Sequence, residues 1–304
     1  MSLMDGPQVL SAVISLERAQ AMKYLRLLSA TVFIWDYSIT ISDEVELVWS
    51  GPWSPSKVFF LFQRYFTWPE ICFAVYAELS YISESEYRRI FLYTLLSTFI
   101  GVMCSETTFL LRTWALWNCK RSILVTLSTA LAVIAVANLY VTAVFWRSVS
   151  FRPASSLARQ FSGIVITDSV RIGYVMWALV LAFETVIVGM TLWKGVQEYR
   201  FRQFIWGAAR ETLLSILYRD GTLYFACILI TSLINMIVIL TAPIGYVDLL
   251  CQLQRVLHSI LACRIVLHLR HAVLRAKQCG RETHVSAGVP SLGSFWVSPP
   301  RLEN

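Results

Sequence analysis

Ionisable side chains stand inside the longest apolar stretches of this 304-residue chain, among them Asp36, Arg64, Glu70, Glu106, Glu184, Arg255 and His258. An unpaired charge in hydrocarbon costs several kcal/mol, so such groups face a bundle interior or a wet cavity. Counted along their stretches, Glu70, Glu184 and Arg255 fall near mid-depth, with Glu106, Asn138 and His258 at neighbouring levels. Glu70, Glu184, Arg255 and His258 are therefore candidates for a small-molecule or ion pocket. The plainer alternative is a hydrogen-bonded clamp between helices. Asp36 and Arg64 each lie about 8 Å from one end of their helices at the helical rise, which predicts a structural Asp36–Arg64 ion pair. Arg112, Asp220 and Arg264 collect at the cytosolic rim. They would form either a movable polar lock or arginines reaching to the headgroups.

These positions require helices that cross a membrane. The chain is 57% hydrophobic and 15% charged, with mean hydropathy +0.60; an ordinary soluble domain is about 45–50% apolar and about 25% charged. That composition excludes a disordered chain, a nucleic-acid-binding domain and an ordinary cytosolic enzyme as first readings. A span needs about 20 apolar residues. Seven stretches qualify: 24–41, 58–79, 90–111, 123–146, 172–193, 223–240 and 246–267. In lipid every backbone amide must be satisfied internally, and continuous apolar runs exclude the alternating strands of a barrel. The expectation is all-α: a seven-helix transmembrane bundle over 24–270, preceded by a segment 1–23 and followed by a disordered tail 271–304. Residues 24–79 hold the first two spans. No cleavable signal peptide is evident in 1–23, so the first span would act as its own targeting signal.

The net charge of +7 is distributed unevenly. Eight Lys and Arg flank the spans on the side of residues 1–23, and fourteen on the side of the tail. The bias predicts an external N-terminus and a cytosolic C-terminus. Trp114, Trp117, Trp146 and Trp193 sit at span ends, where indole rings prefer the interface. No cysteine falls in an expected outer segment, so no external disulfide framework is expected. The loop 194–222, with Arg200-Phe201-Arg202, reads as an interfacial helix or a docking surface for a cytosolic partner.

Several short segments carry a resemblance: Tyr24-Leu25-Arg26, Trp35-Asp36-Tyr37-Ser38-Ile39-Thr40, Asp43-Glu44-Val45-Glu46-Leu47-Val48-Trp49, and Lys57 with Gln63-Arg64-Tyr65. They resemble the N-terminal module of a large integral-membrane family of mushroom-forming fungi, catalogued only as a domain of unknown function. Leu111-Arg112-Thr113-Trp114, Leu217-Tyr218-Arg219-Asp220-Gly221 and Ala262-Cys263-Arg264-Ile265 are similar to later parts of the same family. The resemblance implies a multi-pass fungal membrane protein. It brings no activity, ligand or catalytic residue.

Enzyme motifs are absent from the sequence: no HExxH, no CxxC, no GxSxG and no phosphate-binding glycine loop. No metal ligand set, cofactor or catalytic residue is expected, and His268 with His271 has no third ligand in evidence. All five lysines lie outside the spans, so a retinal Schiff base is excluded. The expected function is receptor-like or sensory, with the lipid bilayer as partner and a small-molecule ligand at the polar midplane. A proton- or cation-coupled transporter or channel, or a structural organiser of membrane complexes, is the alternative.

Overall fold

The computed structural model describes residues 6–51, 53–80, 82–153, 164–168, 172–206, 213–241 and 250–282. Among these, seven long helices follow one another: α1 (Gly6–Glu44), α2 (Pro55–Leu79), α3 (Glu84–Leu116), α4 (Arg121–Ser148), α5 (Gly173–Trp206), α6 (Leu213–Thr241) and α7 (Cys251–Glu282). A π-helical turn, Val45–Trp49, continues α1. Local sequence sets several ends. Ser54 caps α2 by accepting from the Lys57 amide, and Pro55 occupies the first helical position, where no amide donor is needed. Ser83 and Glu86 form a reciprocal capping box on α3. Asn118 and Cys119 take positive φ of 57° and 56° and turn the chain from α3 to α4.

The described elements differ from expectation in four places. Helix α1 begins at Gly6, so part of the expected N-terminal segment is helical. The stretch 147–171 contains a two-stranded antiparallel hairpin, β1 (Ser150–Pro153) with β2 (Ile164–Asp168), which pairs Phe151 with Ile166 and Arg152 with Val165. Apolar β-branched residues and an extended Arg-Pro end favour it locally. The basic stretch after Lys194 is no separate interfacial helix at first, because α5 continues to Trp206. Helix α7 runs on to Glu282, past the expected span end. The expected beginning of the seventh span at 246 and the tail beyond 282 lie outside the described residues.

Among the described residues, four helical segments are long and apolar enough to cross a membrane: Glu84–Leu116, Arg121–Ser148, Gly173–Gln197 and Tyr224–Thr241. Helices α1, α2 and α7 are not among them. These three carry most of the polar side chains that face one another in the interior, which lowers their hydropathy without exposing charge. Helix α7 is central and packs against α1, α2, α3 and α6. Helix α4 lies at the periphery and shows the opposite pattern, with Val125, Val133, Val136 and Tyr140 at 63–70% exposure. An apolar face that open suits lipid contact and would be a liability in water. The largest apolar cluster joins Val48, Phe60, Phe109, Phe183, Phe225 and Val266. A second cluster, with Ala77, Tyr87, Phe91 and Phe145, sits at the hairpin end.

Candidate functional site

The polar interior divides into three groups along α7. The first is a clasp at the α1–α2 connection. Asp36, Thr40 and Glu44 recur every four residues, so they share one face of α1. Glu44 is fully buried and pairs with Arg64 of α2, Arg64 Nε lying 2.5 Å from Glu44 Oε2. Tyr65 Oη and Trp49 Nε1 donate to Glu44 Oε1 at 2.7 and 3.0 Å. Arg64 Nη2 also donates to Thr40 Oγ1 at 2.8 Å and the Tyr37 carbonyl at 3.2 Å, and the guanidinium lies 4.5 Å from the Tyr37 ring centre. Below the pair, Arg270 of α7 donates to the Leu47 carbonyl at 2.9 Å and to Ser54 Oγ at 3.1 Å. Burial pulls the Arg270 guanidinium down from its ordinary value, yet an arginine stays protonated at neutral pH.

The second group surrounds Arg255, whose side chain is completely buried. Its Nε lies 3.4 Å from Glu70 Oε2, and Nη2 donates to Thr67 Oγ1 at 3.1 Å. The Gln63 amide, oriented with its nitrogen on the Gly101 carbonyl at 3.1 Å, accepts from Arg255 Nη1 at 3.0 Å and Ser105 Oγ at 2.6 Å. Glu70 in turn accepts from Ser97 Oγ at 2.8 Å and Thr98 Oγ1 at 3.0 Å. The guanidinium rests on Gly101, where an added Cβ would lie 2.1 Å from its carbon. Only a residue without a side chain permits that approach. This is a clamp between α2, α3 and α7, in which Arg255 Nε meets Glu70 as an ion pair without hydrogen-bond geometry.

One turn further along α7, His258 stands between two carboxylates. Its Nε2 is 3.2 Å from Glu184 Oε1 of α5, and its Nδ1 is 3.7 Å from Glu106 Oε1 of α3. Neither contact has hydrogen-bond geometry. Both ring nitrogens, both Glu106 oxygens and Glu184 Oε2 are buried without a hydrogen-bond partner among the described residues. Glu184 Oε1 accepts from Ser232 Oγ at 2.8 Å, Ser232 accepts from Gln254 Nε2 at 2.7 Å, and Asn235 donates to Gln254.

A cavity of about 70 Å³ lies at the hairpin end of the bundle, between α2, α3, α4, α5, α6 and α7. Tyr87, Phe91, Phe145, Met176, Trp177 and Ile239 make it mostly apolar. Its polar wall includes Thr98, which also donates to Glu70. It further includes Gln252, whose buried Nε2 has no partner among the described residues. Arg26 lines it as well and pairs with Glu78.

Of the residues singled out by sequence, Glu70 and Arg255 meet directly, as do Glu184 and His258, but in two neighbouring groups and not one centre. Asp36 and Arg64 have different partners. Arg64 takes Glu44, and Asp36 Oδ1 accepts from Arg264 Nε at 2.6 Å. Arg264 is thereby a partner of α1 and not a free member of the rim. Arg112 lies over the Phe225 ring, 5.0 Å from its centre; the Asp220 side chain lies outside the described residues. Asn138 is buried but joins neither group, its Oδ1 lacking a partner among the described residues. Sequence reasoning missed Gln63, Thr67, Ser97, Gly101 and Glu44 as site members. Their helical spacing was the available signal, since Gln63, Thr67 and Glu70 share one face of α2 as Ser97, Gly101 and Ser105 share one of α3.

Residues 24–68 match DUF6533, a family of unknown function. No curated protein matches the chain. The matched stretch contains the clasp from Asp36 through Arg64 and Tyr65 and stops before Glu70. It thus holds both partners of the Glu44–Arg64 pair but neither partner of the Glu70–Arg255 pair, which needs the distant helix α7.

Proposed function

We propose that this is a seven-pass fungal membrane protein, external at its N-terminus and cytosolic at its C-terminus, that works as a receptor-like or sensory protein without catalysis. Apolar exposure on α4 and the basic bias toward the tail support the membrane placement. The observation that carries the functional reading is the cavity at the hairpin end, whose wall residue Thr98 hydrogen-bonds Glu70, the partner of Arg255. A small, mainly apolar ligand with one acceptor for Gln252 would fit there. By favouring one position of Thr98 it would bias the packing of α3 against α7, and a shift requires that the ligand bind the two arrangements with different affinity. The cytosolic ends of α3, α6 and α7, with Arg112 and Asp220, would carry that change to a partner docking along 194–222.

Reconstitution tests this reading. The protein in nanodiscs should be stabilised against heat by small aromatic alcohols or indole, and Thr94→Trp, which fills the cavity, should abolish the effect. No response in the wild type would sink the cavity as a ligand site. The buried carboxylates Glu106 and Glu184 favour a second reading, proton- or cation-coupled transport. Proteoliposomes under a pH gradient separate the two: sustained flux supports transport, and tight vesicles support the receptor-like reading.

A further inference from the structure

The geometry points to a divalent transition-metal site formed by Glu106, Glu184 and His258, separate from the cavity. One donor atom from each residue lies within 4.8 Å of the other two, and all three side chains are buried. Their contacts are too long or too poorly aimed for hydrogen bonds, which leaves five donor or acceptor atoms without a partner among the described residues in one small volume. Ligands bound about 2.0–2.2 Å from one ion sit roughly 3–3.5 Å apart, and the 3.2 Å between His258 Nε2 and Glu184 Oε1 has that spacing.

Protons alone do not satisfy this arrangement. Protonating Glu106 removes its charge but supplies a single donor, and the facing ring nitrogen is 3.7 Å away, beyond hydrogen-bond reach. A dication meets both demands, since two carboxylates and a neutral imidazole carry two negative charges. Arg255, one turn away on α7, is committed to Glu70, Thr67 and Gln63. The ion would take one ring nitrogen of His258 and one oxygen from each carboxylate. Ser232, which itself accepts from Gln254, holds Glu184 Oε1, and Oε2 is unengaged among the described residues. One imidazole nitrogen with carboxylate oxygens suits Zn²⁺ or Mn²⁺ over the softer Cu⁺, which prefers thiolates.

The test uses the full chain in detergent, stripped of metal and dialysed against Zn²⁺, Mn²⁺ or Co²⁺. The expected result is one ion per chain, a melting temperature that rises with metal concentration, and visible absorption bands for the Co²⁺ form. Glu106→Gln and Glu184→Gln should each weaken binding by about 100-fold, while His268→Gln, which alters a histidine elsewhere on α7, should leave it intact. Substoichiometric metal with no thermal shift overturns the proposal. So does binding that survives both glutamine variants, or a melting temperature that responds to pH alone. If the variants fail to fold, the absence of Co²⁺ bands in the wild type overturns it by itself.

Discussion

The Glu44–Arg64 clasp and the Glu106–His258–Glu184 group both bury ionisable side chains, with different results. In the clasp, Tyr65 and Trp49 hold Glu44 Oε1, Thr40 and the Tyr37 carbonyl hold Arg64 Nη2, and Glu44 Oε2 meets Arg64 Nε as a close ion pair of opposite charges. In the triad, the same kinds of groups face one another with no hydrogen bond between them. The clasp forms between two helices joined by a short connection, so its partners are set together by local chain geometry. The triad draws one residue from each of α3, α5 and α7. An ion pair braced by hydrogen bonds on both partners holds helices in register; facing groups without that bracing store a desolvation penalty that something else must offset.

The largest expected effect attacks the clasp. Arg64→Met leaves Glu44 buried without its cation and should cost about 3–5 kcal/mol, read as loss of folded protein in detergent. The double variant Glu44→Leu/Arg64→Met should recover most of that loss, because an apolar pair removes the unpaired charge. Next comes Gly101→Ala, whose methyl would overlap the Arg255 guanidinium. We expect about 1–3 kcal/mol of destabilisation by overpacking, seen as a lower melting temperature.

The triad should behave the other way. In metal-free protein, Glu106→Gln replaces a buried carboxyl that has no hydrogen-bond partner among the described residues and should leave stability unchanged or raise it by about 1 kcal/mol. A loss as large as that of Arg64→Met would erase the contrast between the two regions. The smallest effect lies at the cap of α3. Hydrogen bonds from Ser83 hold the Glu86 carboxyl below its ordinary value of 4.5. Its contribution is therefore present above the unfolded value and is lost as pH falls through the folded one. Ser83→Ala should cost about 1 kcal/mol at neutral pH and flatten the melting temperature's dependence on acid pH. A variant with the wild-type acid profile would show that the cap is idle.

Depth along an apolar stretch is legible in the sequence, whereas the neighbour that a side chain's helix face turns toward is not, and the differences between expectation and structure follow from that. Asp36 and Arg64 do lie in adjacent helices. Helix α1, however, continues past residue 41 and brings Glu44 to Arg64, while Asp36 turns toward Arg264 of α7. Glu70 and Arg255 share a level and also a face, so depth sufficed for them. The hairpin within 147–171 was hidden because short strands leave a weak periodic signal beside seven long helices. The low hydropathy of α1, α2 and α7 has its explanation only in the bundle, where their polar stripes meet.

Composition and the lengths of the apolar runs determined the helical class, and with it the burial of ionised groups, because hydrocarbon rewards internally bonded backbone and penalises exposed charge. Which acid meets which base was decided by the rotation and neighbours of each helix. Those depend on packing around α7, between residues up to some two hundred positions apart, and no local pattern encodes them.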